Sequence, residues 1–146
     1  MPLTPRLLVL LLLIIVYPLS SRKNHKNFPH WTTAEYKEYD HQEDRLPIDQ
    51  HELVALVAPR ALHDGEATHD PWADPRGSWL SLVEASKVWA LYGKAGAMKD
   101  EMPPVNDLLL NGPIAYHMRD GGHGLTLFDW KLYLDEADTL FKKGTK

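Results

Sequence analysis

The stretch Pro113–Thr126, PIAYHMRDGGHGLT, carries three successive structural signals. Its apolar first half, Pro113–Arg119, predicts a short strand. The glycines around His123 predict a sharp turn that keeps the imidazole accessible. Thr126, with Asp129 three residues later, has the spacing of a capping box and predicts the start of a helix. A histidine placed between a strand and a helix in this way is either an ordinary turn residue or the base of a hydrolase.

Helical patterns lie on both sides of this stretch. The segment DQHELVALVAPR predicts a helix that Asp49 caps and Pro59 ends. A second helix is predicted from Ser78 to about Tyr92, with Gly93 as its stop signal. The last helix has an apolar face made of Trp130, Tyr133, Leu134, Ala137, Leu140 and Phe141. Helices that alternate with strands predict an α/β fold with a mostly parallel sheet.

One segment departs from this pattern. After the first helix an α/β chain enters a buried strand, but Ala61–Asp70, ALHDGEATHD, is too polar for one. A central parallel strand buries both of its faces. His63 and Asp64 would therefore cost several kcal/mol there unless they were paired or hydrated.

Composition excludes several classes of function. The 146 residues carry a net charge of -4 and no basic stripe, which argues against a nucleic-acid partner. There is no cysteine, so disulfides and thiolate metal sites are excluded. No two of the eight histidines have the four-residue spacing of a zinc-protease helix, so no metal site is predicted. The length predicts one domain.

The N-terminal segment differs from the rest of the chain and predicts a targeting signal. A single positive charge precedes the uninterrupted apolar run Leu7–Val16, and YPLSS follows it. The run is shorter than the roughly 20 residues that span a bilayer. This favours a secretory signal, and with it a secreted or periplasmic protein. A buried strand or helix is another interpretation of the same run.

The charges that follow the apolar run keep a membrane-anchored alternative open. More positive charge lies after the run than before it, on Arg22, Lys23 and Lys26. This order suits a short signal anchor better than a cleaved signal. We therefore interpret 1–21 as a signal peptide or short signal anchor, 22–26 as a linker and 27–146 as the folded part. Membrane contact is expected only through the leader.

His123 and Asp70 occupy positions that suit two members of a catalytic triad. In an α/β-hydrolase the chain order is nucleophile, acid, histidine, and the acid and histidine follow successive strands. The carboxylate would fix the imidazole tautomer and stabilise the imidazolium. The alternative is a turn histidine beside a solvated aspartate.

Three longer segments resemble a known family. LPIDQHELVALVAPR, HDPWADPRG and YHMRDGGHGLTLFDWKLYLDEAD together resemble the C-terminal third of bacterial glucuronoyl esterases, in carbohydrate esterase family fifteen. Some members are labelled acetyl xylan esterases. The resemblance covers about Asn27 to Phe141. It implies a partial α/β-hydrolase of serine-esterase type, here behind a hydrophobic leader, that uses no metal or organic cofactor. It also implies glucuronate esters of xylan, joined to lignin alcohols, as the substrate.

The resemblance also implies roles for single residues. His123 matches the catalytic base, and Asp70 matches the acid that supports this histidine in some bacterial members, whereas others use a glutamate nearer the nucleophile. Trp72 matches a tryptophan of the glucuronate pocket, and from its residue type alone it would be a half-buried packing aromatic. We interpret His51 and His117 as packing histidines and not as catalytic ones. A further family block is interpreted as structural and comprises Asp49, Gln50 and His51.

The nucleophile does not fit into this pattern. An α/β-hydrolase places its serine on a Gly-x-Ser-x-Gly elbow, and none of the five serines has that setting. They lie in the leader or in the second predicted helix, at Ser20, Ser21, Ser78, Ser81 and Ser86. In the resembled family the serine lies upstream of the matched region. Without that upstream half, the sheet would also have an exposed edge. The missing serine, the exposed sheet edge and the polar strand position together predict a C-terminal fragment that is inactive alone.

Three functions stay open at this point. The chain is an inactive piece of a secreted esterase, a remnant that binds glucuronoxylan, or an enzyme that a second polypeptide completes with the serine half. Stacking faces for binding would come from Trp31, Trp72 and Trp79, although buried packing suits most tryptophans better. Retention of a cooperatively folded chain on glucuronoxylan would favour binding. Activity restored by the serine half, and lost in His123→Ala, would favour completion.

Overall fold

A computed structural model of the chain describes residues 10–11, 29–31, 33–40, 42–94, 98–110 and 112–143. These residues form one four-stranded sheet and three α-helices, together with short 3-10 helices at Glu35–Tyr39 and Glu43–Arg45. The prediction of a partial α/β-hydrolase fold with a mostly parallel sheet is confirmed.

The sheet has the strand order β1–β2–β4–β3. Its centre is the parallel pair of β2, Leu62–His69, and β4, Ile114–Gly122. The two residues of β1, Leu10–Leu11, pair in parallel with β2. At the other edge β3, Leu108–Leu109, pairs antiparallel with β4. The predicted strand at Pro113–Arg119 is thus present, and it continues into the glycine turn.

The three α-helices confirm the predicted elements with changed boundaries. Helix α1 is Gln50–Ala55 and has the predicted Asp49 cap, completed as a capping box by Glu52. It ends four residues before Pro59, which was expected to end it. Helix α2 is Pro75–Leu91, and helix α3 is Leu127–Lys143.

Helix α2 begins three residues before the predicted Ser78. Pro75 occupies its first turn, where the missing amide hydrogen costs nothing. Asp74, in the left-handed region with a φ of 47°, accepts a hydrogen bond from the Gly77 amide at 3.2 Å. At the other end Gly93 has a φ of 69°, which confirms the predicted stop.

The two faces of the β2–β4 pair have different chemistry. Leu62, opposite Ile114, belongs to the face that packs on α2 around the apolar core. His63 and His117 point to the other face, where the ring of Tyr133 from α3 meets both imidazoles edge-on. The core is made of Val54, Val57, Leu62, Trp79, Leu82, Val83, Ala85, Trp89, Ile114, Tyr116 and Met118.

The prediction that Ala61–Asp70 is too polar for a buried strand is wrong. Five of the eight β2 residues are buried, among them His63, Asp64 and Glu66. Pairing with β4 along its length overrides the poor strand propensity of these residues. The cost of burial remains, because both carboxylate oxygens of Asp64 lack a hydrogen-bond partner.

Most of the predicted leader lies outside the described residues, so the signal peptide and the linker stay predictions. The backbone of Leu10–Leu11 is the exception, since it pairs with Leu62 and His63 of β2. Among the described residues, no helix combines the length and the apolar character that crossing a membrane requires.

Candidate active site

The parallel pairing of β2 and β4 brings His123 and Asp70 together. Both strands end at the same edge of the sheet, with His69 and Gly122 as partners in register. Each of the two side chains follows directly after its strand. Their atoms Nδ1 and Oδ2 lie 2.6 Å apart, which is a short hydrogen bond. Open α/β sheets place their ligand sites at this carboxyl edge.

The two partners differ sharply in exposure. The His123 side chain is 65% exposed, whereas that of Asp70 is 10% exposed. Because a carboxylate accepts hydrogen bonds, this contact favours the tautomer of the neutral imidazole that carries its proton on Nδ1. The Nε2 lone pair is then available to accept a proton. A shielded acid behind an open base is the arrangement that general-base catalysis needs.

A local irregularity at the end of β2 orients Asp70. The strand register shifts between Ala67 and His69, and the chain then turns. The Asp70 amide donates to the Ala67 carbonyl at 3.2 Å, and the Asp70 carbonyl accepts from the Ala73 amide at 3.1 Å. These two bonds fix the backbone of the acid independently of its side chain.

A small cavity of about 30 Å³ opens between the two strand ends. Besides the pair itself it contains the side chain of Glu66, whose Oε1 is buried and has no hydrogen-bond partner. Burial, and then the negative charges of Asp70 and Asp74, raise the pKa of Glu66 to about 7. The lining consists of Gly65, Glu66, Ala67, Asp70, Ala73, Arg119, His123, Gly124, Leu125 and Asp129.

A chain of buried side chains runs along one face of the sheet, from β2 through β4 to α3. His63 Nε2 lies 3.0 Å from His117 Nδ1, and His117 Nε2 lies 2.9 Å from Asp129 Oδ1. Burial lowers the pKa of both histidines, that of His63 to about 4, so both are neutral at pH 7. His117 then donates to Asp129 and accepts from His63. The interpretation of His117 as a packing histidine fits this setting.

Asp129 is the end point of that chain and stays ionised. Burial by itself would raise its pKa. Hydrogen bonds from His117, Thr126 and Arg119 outweigh burial and lower the pKa to about 2. The Thr126 amide and hydroxyl donate to Asp129 Oδ2 at 2.6 and 2.7 Å, which confirms the helix start predicted from this spacing. Within the described residues no group of three or more His, Asp or Glu side chains could hold a metal ion.

The remaining residues singled out from the sequence lie outside this cluster. Trp72 is 41% exposed, two residues after Asp70, and is not among the described residues that line the cavity. His51 pairs with Asp49 at 3.4 Å on the surface. Of the tryptophans considered as stacking faces, Trp79 is buried and its indole donates to the Lys99 carbonyl at 3.1 Å. Trp31 is 46% exposed.

Sequence reasoning missed two side chains of this site. Arg119 was predicted only as the end of a strand, yet its guanidinium contacts Asp129 and the turn around His123. Glu66 was part of a segment thought too polar for a strand. The sequence signal for Arg119 was its position four residues before a histidine that lies in a glycine turn. The available signal for Glu66 was its alternation with Asp64 on one strand face.

The sequence is similar to those of known carbohydrate esterases. The family model described as "Glucuronyl esterase, fungi" matches residues 19–93. "Carbohydrate esterase MZ0003", from an unknown prokaryotic organism, is 41% identical over 117 residues, which are 80% of this chain and 27% of that protein. The "4-O-methyl-glucuronoyl methylesterase 1" of Phanerochaete chrysosporium is 37% identical over 65 residues, 44% of this chain and 14% of that protein.

Solved structures give the same relationship. The glucuronoyl esterase from Solibacter usitatus superposes with a TM-score of 0.75 at 38% identity, over 84% of this chain and 31% of that one. A promiscuous CE15 esterase from a marine bacterial metagenome superposes with a TM-score of 0.75 at 41% identity, over 80% of this chain and 29% of that one. The chain thus spans less than a third of the length of these relatives.

Proposed function

The chain belongs to the glucuronoyl esterase family, and from that membership we propose that it carries the base and the acid of a serine carboxylic-ester hydrolase. His123 is the base and Asp70 is the acid. The observation that carries the proposal is their 2.6 Å contact, with an open imidazole in front of a shielded carboxylate at the carboxyl edge of the sheet.

The proposed reaction needs a serine that lies outside the elements described above. The serine hydroxyl would lose its proton to His123 Nε2 and attack the ester carbonyl carbon, while Asp70 stabilises the imidazolium. The imidazolium would return the proton to the departing alcohol. Water, activated by the same nitrogen, would then release the acid and regenerate the serine. Because this sequence has no serine elbow, we propose that the serine half of the hydrolase fold supplies it.

The proposed substrate class is glucuronoyl esters of xylan. The names of the curated relatives include 4-O-methyl-glucuronoyl methylesterases, and the structural relatives include glucuronoyl esterases. We place Trp72 against the sugar ring, since it is half exposed in the turn that carries Asp70. No metal or organic cofactor takes part in the proposed steps. A xylan ester is an extracellular substrate, which agrees with the proposal that residues 1–21 direct export.

A chimeric enzyme tests the proposed roles. In Carbohydrate esterase MZ0003, the matched 117-residue region would be replaced by the corresponding region of this chain. We expect the chimera to hydrolyse methyl 4-O-methyl-glucuronate, and His123→Ala to abolish this activity. Full activity of a His123→Ala chimera would overturn the assignment of the base.

The 146-residue chain itself tests whether two polypeptides suffice. Mixed with the rest of MZ0003, which lacks the matched region, the wild-type chain is expected to restore ester hydrolysis and the His123→Ala chain is not. An active chimera without restoration on mixing would show that the base functions only within one covalent chain. A chain that folds and is retained on glucuronoxylan, with an inactive chimera, would instead support a binding role.

A further inference from the structure

We propose that Arg119 is a positioning residue that holds the imidazole of His123 against Asp70. The guanidinium binds the backbone carbonyls on both sides of the histidine. Its Nη2 donates to the Gly122 carbonyl at 2.9 Å and also to the Gly124 carbonyl. The inference rests on the proposed function, because it takes His123 to be the base. Arg119 orients this base and takes part in no chemical step.

The guanidinium is itself anchored at its other side. Arg119 Nε lies 3.1 and 2.9 Å from the two oxygens of Asp129. The side chains of Arg119 and Asp129 are 9% and 4% exposed, so this ion pair is shielded from water. A shielded, charge-assisted contact is stronger and more strictly oriented than a surface ion pair.

Asp129 fixes this anchor to two elements of the fold. It accepts hydrogen bonds from Thr126 at the start of α3 and from His117 on β4. Arg119 also lies on β4, before the turn. The guanidinium therefore connects the rigid strand, the helix start and the His123 turn.

The turn needs such a support because its own backbone is permissive. Gly121 and Gly124 have φ values of 137° and 120°, a region that only glycine adopts readily. Glycines contribute no side chain that could pack and restrict the turn. A Cβ on Gly121 would lie 2.5 Å from Arg119 Nη1, so the guanidinium fills the place that a side chain would take. A misplacement of about 1 Å in a catalytic group can cost about 100-fold in rate.

A lysine would not reproduce this role. The planar guanidinium presents Nε to the carboxylate and Nη2 to two carbonyls in one fixed plane, whereas an ammonium is a point charge. Arg119→Lys therefore preserves the charge opposite Asp129 and removes the double contact with the turn. Arg60 offers a matched control, because it also binds two backbone carbonyls, those of Val57 and Leu56, away from the site.

The test uses the full chain labelled with ¹⁵N-histidine, in long-range ¹H–¹⁵N spectra at alkaline pH that distinguish the two neutral tautomers. We expect His123 to show the Nδ1–H form in the wild type and in Arg60→Lys. In Arg119→Lys we expect it to lose that preference, as in Asp70→Asn. An unchanged His123 signal in a folded Arg119→Lys chain would overturn the proposal, even if the melting temperature fell.

Two further measurements distinguish a failure of the proposed function from a failure of the proposed role of Arg119. In the active chimera, Arg119→Lys is expected to lower kcat about 10- to 100-fold with little change in KM. An inactive chimera would count against the proposed function but leave the tautomer result valid. If Arg119→Lys fails to fold, the proposal is tested by NMR on the wild-type chain. The Arg119 Nη protons of the wild type should exchange slowly and should show contacts with the Gly122 and Gly124 backbone. The absence of these contacts would overturn the proposed positioning role of Arg119.

Discussion

The Nδ1 atom of His123 and the Oδ2 atom of Asp70 lie 2.6 Å apart, although 53 residues separate them in the sequence. The contact exists because two neighbouring parallel strands end at the same edge and each delivers one residue. Asp70 is held by backbone bonds on both sides, and His123 by the carbonyls that Arg119 binds. Both partners are therefore fixed by groups that take no part in the proposed chemistry.

Replacing Asp70 in the chimera should reduce turnover far more than substrate binding. Asp70→Asn preserves the size of the side chain but favours the wrong imidazole tautomer, and we expect kcat to fall about 10⁴-fold. The measurement is steady-state hydrolysis of a methyl glucuronate ester. Asp120→Asn is the matched control, since Asp120 pairs with the exposed His69 at 3.4 Å. Equal losses in the two variants would contradict a special role for Asp70.

Asp64 should destabilise the fold, so removing its carboxylate should stabilise it. Both oxygens are buried and unpaired on the core face of β2, and burial raises the pKa well above its ordinary value. The wild type then loses stability as the pH rises above about 3.8. We expect Asp64→Val to raise the free energy of unfolding by about 1–3 kcal/mol at pH 8, and by less at pH 4. Urea titrations followed by tryptophan fluorescence would measure it.

The exposed Asp107 provides the control for that experiment. Asp107→Val changes the same residue type in the loop before β3, where no burial cost exists. We expect it to leave the free energy of unfolding within about 0.5 kcal/mol of the wild type at both pH values. A gain as large as that of Asp64→Val would mean that the buried carboxylate is not the cause.

Glu66 should make stability fall between about pH 4.5 and pH 7. Its folded pKa is raised from 4.5 to about 7, first by burial, so the folded state holds the proton more tightly than the unfolded state. The wild type is therefore penalised as the pH rises through this window. Glu66→Gln should match the wild type near pH 4 and exceed its stability above pH 7, by at most about 3 kcal/mol. A pH-independent difference, or the same profile in the exposed Glu101→Gln, would refute this origin.

Gly65 should not tolerate a side chain. A Cβ there would overlap the Tyr133 hydroxyl oxygen and His117 Cε1, so these two buried side chains would have to shift. We expect Gly65→Ala to cost about 1–3 kcal/mol of unfolding free energy. Gly122→Ala is the matched control, because a Cβ at that exposed position meets nothing within 4 Å. Thermal melts measure the effect. Equal melting temperatures of the two variants would show that the close packing of Tyr133 and His117 on Gly65 does not limit stability.

The order of elements and the identity of the pair could be read from the sequence, because both depend on patterns along the chain. Helical periodicity, the Asp49 cap and the Thr126–Asp129 spacing each correspond to a local structure that forms as predicted. The proximity of His123 and Asp70 followed from chain order in a parallel sheet. Their distance and their unequal exposure required the packed structure.

The polar strand and the arginine could not be predicted, because they depend on partners distant in sequence. His63 and Asp64 oppose strand formation locally, and pairing with neighbouring strands, above all with β4, makes this segment a strand. Arg119 finds its carboxylate ten residues later, on a helix whose position the sheet determines. No pattern within either segment contains that information.

The connection between β2 and β4 also has a kinetic consequence. The chain must close a loop that includes all of α2 before Leu62 can pair with Ile114, and nonlocal pairing of this kind slows folding. The contact between His123 and Asp70 can therefore form only after this pairing is complete. The imidazole signal of His123 would therefore report whether β2 and β4 have paired.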